Sequence, residues 1–406
     1  MTTDPVYLDH NATTPVDPRV ADAMAPFLRD AFGNPSSSHR FGVRARSAVD
    51  TARGQVAELL DCEPDEIVFT GSGSEADHLA IRGVVLGEGL AGEARRSHVV
   101  TQCTEHPAVL QTCESLQRLH GCTVTYLPVG GDGTVDPSAF AEALSERTAV
   151  ASIMHANAET GTIQSIAALA GAAHDRGVPF HTDAAQSAGR LDVRVTELGV
   201  DLLTLVGHKM YAPKGIGVLY RRRGLRLEPV GYGGGQEHGL RSGTENVAGI
   251  VGIGEACRLL AHRREAMAAA RRRRDLLEDR LRALLPGRVH LNGSRERRLP
   301  NTLNVSIDGV IGNVVLGFAE TVAASTGSAC HAGEAAPSAV LLAMGVPAER
   351  ALGALRLTVG RWTTDDDVPA AAAAIADAVH RYDAEVTTVP STTAGTADAR
   401  THPAAR

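Results

Sequence analysis

Seven short runs rich in β-branched and apolar residues recur between residues 66 and 221: EIVFT (66–70), SHVVTQ (97–102), TVTYLPV (123–129), AVASIMHAN (149–157), VPFHTDAAQ (178–186), VDLLTLVGH (200–208) and IGVLYR (216–221). Helical patterns such as VDTARGQVAELL (49–60) and IAALAGAAHDRG (166–177) flank or separate them. Strands that read as near-continuous apolar runs and alternate with helices predict an α/β fold whose mostly parallel sheet is covered on both faces. Ligands of such sheets bind beyond the carboxyl ends of the strands.

The second half reads differently. A long amphipathic helix is expected over about 247–285, with Leu276, Leu277, Leu281 and Leu284 at helical spacing and Pro286 as its stop. NTLNVSID (301–308) alternates like a half-buried strand, and PSAVLLAMG (337–345), ALRLTVG (354–360) and DDVPAAAAAIADAVHRY (366–382) read as helix, strand and helix. The division expected is a large domain over 16–263 and a small α/β domain made of 1–15 with 264–385. From 386 to 406 a Thr- and Ala-rich stretch reads as a disordered tail.

Composition removes several classes of function. A net charge of −7 over 406 residues gives no basic field for direct nucleic-acid binding. The cluster Arg271–Arg274 reads as the solvated face of the long helix. Glu320 interrupts the most apolar stretch, so no membrane span is expected, and MTTDPVYLDH lacks the basic start and apolar core of a secretory signal. The six cysteines form no CxxC pair, which points to reduced thiols and a cytoplasmic setting.

Five stretches carry residues able to do chemistry. Lys209 ends the apolar run 202–206; it is either a solvated cap or an amine whose charge is costly, poised to form a Schiff base. VFTGSGSEADHLAI (68–81) is strand, Gly/Ser loop and helix, which either caps the helix or cradles a phosphate. Asp183 and Gln186 follow a strand, where a carboxylate either caps the next helix or holds a pyridine nitrogen protonated. His106 follows Glu105 at another strand end and could stack on a flat ring or shuttle protons. Cys330 sits in the loop ASTGSACHAGEAAPS (324–338) beside His331, where a thiolate nucleophile is the better reading; the other cysteines lie in strand or helix patterns as small core hydrophobes.

Together the segments YLDHNATTP (7–15), FGNPSSSHRFG (32–42), TGSGSEADHLAI (70–81), TEHPAVL (104–110), HTDAAQS (181–187), GHKMYAPKGIG (207–217), GGGQEHGLRSGTEN (233–246), LPNTLNVS (299–306), STGSACHAG (325–333) and LRLTVGR (355–361) are in an order and spacing that resembles the pyridoxal-phosphate-dependent cysteine desulfurases of the class V aminotransferase branch, and the closely related selenocysteine lyases. The resemblance covers about residues 6–380. It implies a fold-type I transferase with a seven-stranded, mostly parallel sheet, bound pyridoxal 5′-phosphate, L-cysteine (or L-selenocysteine) as substrate, and a sulfur-acceptor protein such as one serving iron–sulfur clusters. It implies that Lys209 forms the Schiff base, that His208, Gly73 and Ser74 hold the phosphate, and that Thr244 reaches the phosphate of a neighbouring subunit in a homodimer. His106 would stack on the ring, Asp183 meet its nitrogen and Gln186 its phenolic oxygen; Asn34 and Arg356 would grip the substrate carboxylate, and Cys330 would take the sulfur.

Two positions depart from the pattern. Ala158 stands where the resemblance expects an asparagine that hydrogen-bonds the phenolic oxygen, and Val206 where it expects a serine on the phosphate. The loop after Cys330 has the length of the branch with a mobile cysteine loop.

Overall fold

The computed structural model describes residues 4–89, 96–260, 263–327 and 336–388. Among these residues the strands are β1 (Val6–Tyr7), β2 (Ile67–Thr70), β3 (His98–Gln102), β4 (Thr123–Leu127), β5 (Thr148–Ser152), β6 (Phe180–Asp183), β7 (Leu202–Val206), β8 (Gly217–Arg221), β9 (Val289–Leu291), β10 (Thr302–Ile307), β11 (Val322–Ala323) and β12 (Ala354–Thr358). Each of the seven apolar runs contributes one strand to a seven-stranded sheet of order β2-β8-β7-β6-β5-β3-β4. β8 is antiparallel to both neighbours; the pairs from β7 to β4 are parallel.

Two cores explain why these strands read as continuous apolar runs. Successive side chains point to opposite faces, so Phe69, Val100, Ala151, Leu203 and Val218 enter one core while Val68, Val99, Val150, Leu202 and Leu219 enter the other. Of the first four helices, α1 (Pro18–Arg29), α2 (Arg40–Leu60), α3 (Gly73–Val84) and α4 (Pro107–His120), α2 covers the first face with Val49, Val56 and Leu60, alongside Ile166, Leu169 and Ala173 of helix Ile166–His174. α3 and α4 cover the second with Leu79, Val84, Val109 and Leu116. Burying each leucine-sized side chain contributes about 1.5–3 kcal/mol.

A separate core joins Leu8 to Leu277, Leu281, Leu303, Val305, Leu355, Leu357, Ile375 and Val379. It lies on the antiparallel sheet β12-β10-β9, and the parallel pair β1–β11 brings the N-terminus to it. The expected helix over 247–285 is two helices, Val247–Leu259 and Arg263–Leu284. The first buries Ile250 and Ile253 in the core that α2 shares with the large sheet, packing on α2 and α1, and the second buries Leu277 and Leu281 in the other core, so the two apolar stripes face different partners. Arg274 departs from the solvated cluster: it is buried, donating to the Leu299 carbonyl at 2.7 Å and pairing with Asp275 at 2.6 Å. β10 is buried along its whole length. It is the middle strand, and its Asn304 and Ser306 accept from Asn292 Nδ2 at 2.8 Å each. The last helix, Asp367–Thr388, runs into the stretch read as tail, whose residues 389–406 lie outside the described residues. Among the described residues no helix is long and apolar enough to cross a membrane.

Candidate active site

A cavity of about 630 Å³ opens beyond the carboxyl ends of β3, β5, β6 and β7. Lys209, His208, Asp183, Gln186, His106, Gly73, Ser74 and Arg356 all line it. Each of the first six residues follows a parallel strand or the strand–helix turn after β2, which is where this architecture collects side chains from distant parts of the chain.

Lys209 sits on a single helical turn after β7. Its Nζ donates to the carbonyls of Asn11 at 2.6 Å and Ala12 at 2.8 Å. Burial, then the charges of Arg190 and Arg356, push its amine down to about 8, against the opposing pull of Asp183 and Asp9. This is the costly-charge reading of a strand-end lysine, not the solvated cap. His208 Nδ1 meets Thr13 Oγ1 at 3.1 Å, and burial with Lys209 and Lys214 nearby lowers its ring to about 4.

The turn after β2 leads into α3, capped by Ser72 Oγ accepting from Glu75 N at 3.1 Å. Gly73 is pressed against β7: a Cβ there would lie 2.3 Å from Val206 Cγ2. Ser74 is exposed on the same first turn. An N-terminal helix turn with a close backbone approach suits an anionic group.

Asp183 ends β6 and accepts from Ala185 N at 2.8 Å. Burial raises its carboxyl, and the Ala185 hydrogen bond, His106 and Lys209 oppose the rise. Beneath it two more buried carboxyls face the same cavity. Asp77 is raised by burial and by Asp183, and its Oδ1 has no hydrogen-bond partner. Glu105 Oε1 accepts from Gln102 Nε2 at 2.9 Å and Met154 N at 2.7 Å, and burial lifts it to about 8. His106 caps α4, Nδ1 accepting from Ala108 N at 3.1 Å; burial lowers its pKa, Asp183 raising it and Lys209 lowering it further. Gln186 is held between Asn11, whose carbonyl takes its Nε2 at 3.0 Å, and Arg190, which donates to its Oε1 at 3.2 Å.

Arg356 comes from the middle of β12 in the other sheet. It donates to Asp9 Oδ1 at 2.8 Å and to the Ala158 carbonyl at 3.4 Å, while its buried Nε has no partner. Ala158 therefore contributes its backbone: its carbonyl also accepts from Asn11 Nδ2 at 3.1 Å. Two expected residues lie outside the cavity lining of the single chain. Asn34 is exposed and accepts from Ser36 N at 2.9 Å. Thr244 is exposed on the segment that Arg241 ties to Glu75 of α3 at 3.1 Å. Cys330 lies outside the described residues, between Gly327 and Val340, both of which line the cavity. Burial pushes Cys62, Cys113 and Cys257 up to about 12 and raises Cys103, so none of these four is a thiolate at neutral pH.

A family profile described as Aminotransferase class-V matches residues 6–371. The chain belongs to the class-V aminotransferase family. The cysteine desulfurase of Gluconacetobacter diazotrophicus is 47% identical over 367 residues, 89% of this chain and 90% of that relative. A solved NifS-like protein superposes with a TM-score of 0.86 at 34% identity, covering 93% of this chain and 100% of its own. SspA, solved in complex with cysteine, gives a TM-score of 0.77 at 36% identity over 88% and 99% of the two chains. The fold-type I arrangement expected of this family is the one observed, with a mostly parallel seven-stranded sheet.

Sequence reasoning missed Asn11 and Asp77 in the cavity lining, and Asp9 and Arg190 just behind it. YLDHNATTP carried a signal without a mechanism, and Arg190 stood four residues beyond Gln186 with nothing in its spacing to mark it as buried.

Proposed function

We propose that the protein is a pyridoxal-phosphate-dependent cysteine desulfurase that takes sulfur from L-cysteine, releases L-alanine and carries the sulfur as a persulfide on Cys330 to an acceptor protein. The observation that carries this reading is the convergence of a desolvated lysine, a buried carboxylate at a strand end, a helix-capping histidine and a buried arginine on one cavity. Those residues fit the cofactor: the tight Gly73–Val206 approach leaves backbone for a phosphate, and the buried carboxyls Asp183 and Asp77 can meet a protonated ring nitrogen. When bound, pyridoxal phosphate supplies an aldehyde for an amine and an electron sink for a carbanion.

This chain's residues do the rest. Lys209 would hold the cofactor through its amine and, as a free amine, would take the proton from the substrate α-carbon. Asp183 would hold a proton on the ring nitrogen, and Gln186 would meet the phenolic oxygen. Gly73, Ser74 and His208 hold the phosphate, with Thr244 of a second copy completing the grip in a homodimer. Arg356, with Asn34, binds the α-carboxylate through parallel N–H donors. His106, neutral at physiological pH, takes and returns the thiol proton. Cys330 as thiolate would attack the substrate sulfur: the S–S bond forms as the C–S bond breaks, the electron pair of that bond stays on the substrate β-carbon, and that carbon takes up a proton on the way to alanine. The large domain over 16–263 and the small one over 1–15 with 264–385 suit this scheme, because Asn11 and Arg356 line the cavity from the small domain's segments, with Asp9 behind them holding Arg356.

The expected outcome for Cys330→Ala is loss of alanine formation from L-cysteine with the cofactor's visible band intact. Full turnover in that variant would remove Cys330 from the mechanism. Lys209→Ala is expected to lose the Schiff-base band.

A further inference from the structure

Arg190 is buried, 8% exposed, just beyond the site. It donates to the Gln186 carbonyl at 2.6 Å, to Gln186 Oε1 at 3.2 Å and to the His10 carbonyl at 3.2 Å. All three acceptors are neutral, and no carboxylate pairs with Arg190 among the described residues. A buried cation without a counter-charge is costly, so a chain that keeps one is expected to use it.

The His10 carbonyl begins a strap of three consecutive carbonyls. Arg190 takes His10; Lys209 takes Asn11 at 2.6 Å and Ala12 at 2.8 Å; Gln186 Nε2 also takes Asn11, at 3.0 Å. Two cationic side chains thus grip one short piece of backbone, with the Gln186 amide between them. Of the charges around Lys209, Arg356 adds to the repulsion, while Asp183 and Asp9 oppose it. Asp9 is already committed to Arg356 at 2.8 Å, and Asp183 is itself raised by burial. His106 and His208 are both lowered toward the neutral ring, and Lys214 is exposed at the cavity edge. Arg190 is left as the buried fixed charge facing the amine without a neutralising partner.

We propose that Arg190 is a positioning residue for Lys209: it fixes the His10–Ala12 strap on which the amine rests, and its uncompensated charge disfavours a second cation there whenever the amine is not bonded to the cofactor. The strap is then the resting place of the lysine while it is released from the cofactor during the cycle. This inference rests on the reading of Lys209 as the Schiff-base lysine.

The test compares Arg190→Gln, Arg190→Lys and Gln186→Glu, the last placing a carboxylate against Arg190 without opening a cavity. In the holoenzyme, a visible band that Lys209→Ala abolishes establishes the lysine; a wild type lacking that band would sink the site assignment before Arg190 is at issue. In full-length protein stripped of cofactor, carbamylation of Lys209 by cyanate, read by peptide mass across pH, reports the neutral amine. Arg190→Gln and Gln186→Glu are each expected to move the midpoint upward by roughly half to one unit, a roughly three- to tenfold slower modification at pH 7. Arg190→Lys is expected to keep the wild-type midpoint. With the band present, an unmoved midpoint in either charge-changing variant overturns the proposal, and so does a shift in Arg190→Lys equal to that in Arg190→Gln.

Discussion

Replacing Gly73 by alanine would put a methyl group into the end of β7. The added Cβ would sit 2.3 Å from Val206 Cγ2 and 3.5 Å from Val206 Cβ. Carbon atoms in contact prefer about 3.5–4 Å, so more than an ångström of overlap must be relieved. Val206 cannot yield easily: it is β-branched, buried, and hydrogen-bonded into a strand between β6 and β8. The body of α3 is fixed by Leu79, Ala80 and Ile81, which are buried in the core. The strain therefore falls on the first turn of α3, the turn offered to the cofactor phosphate. Overpacking of this kind costs about 1–3 kcal/mol, which as weakened cofactor binding is roughly a 5- to 150-fold rise in dissociation constant. Equilibrium dialysis of pyridoxal phosphate against Gly73→Ala, Val206→Ala and the double variant measures it. Trimming Val206 removes the clashing methyl, so the double variant is expected to recover most of the affinity that Gly73→Ala loses. Wild-type affinity in Gly73→Ala, or no rescue by Val206→Ala, would refute the claim that this packing contact sets the phosphate turn.

Asp9→Asn should release Arg356 from its ion pair at 2.8 Å, so KM for L-cysteine is expected to fall roughly three- to tenfold with kcat little changed; a raised KM would show that Asp9 orients the guanidinium instead of competing for it. The buried histidines should lower stability in mild acid, against the opposite slope of the raised Glu105 carboxyl. Burial holds His181 down at about 3 and His155 at about 4, and burial with the Arg190 charge holds His10 at about 4. Their folded values lie below the ordinary histidine value of about 6.5, so the unfolded chain takes up protons first. Their contribution is complete above pH 6.5 and is lost as pH falls from 6.5 through 4. Denaturant midpoints at pH 7.5, 6 and 5 in the wild type and in His181→Gln check this: the variant is expected to lose less stability between pH 7.5 and 5 than the wild type, and an unchanged difference between those pH values would contradict it.

The large sheet was legible because its strands are buried on both faces and so announce themselves as unbroken apolar runs, each of which became a strand. Lys209, Asp183 and His106 were legible for the same reason: each lies at the end of such a run or within four residues beyond it, and parallel topology sends all those ends to one crevice. Where two partners compete, the sequence is less informative. The apolar spacing over 247–285 is continuous, yet it serves two cores, and nothing in the letters says which leucine faces which. Arg274 read as solvated because a charge run normally is, and only the fold places the Leu299 carbonyl against it.

The rest of the site was hidden because its work is done by backbone. The carbonyls of His10, Asn11 and Ala12 hold Arg190 and Lys209, across 180, 198 and 197 residues of chain. A carbonyl is the same whatever side chain it accompanies, so such positions leave no mark in composition or spacing. Ala158 makes the point in reverse. Its missing amide looks like a loss at the site, but its carbonyl still accepts from Asn11 and Arg356. The position can therefore give up its side chain while continuing to orient the arginine. The asparagine expected there would do two separable jobs, and this chain keeps the one that the backbone performs.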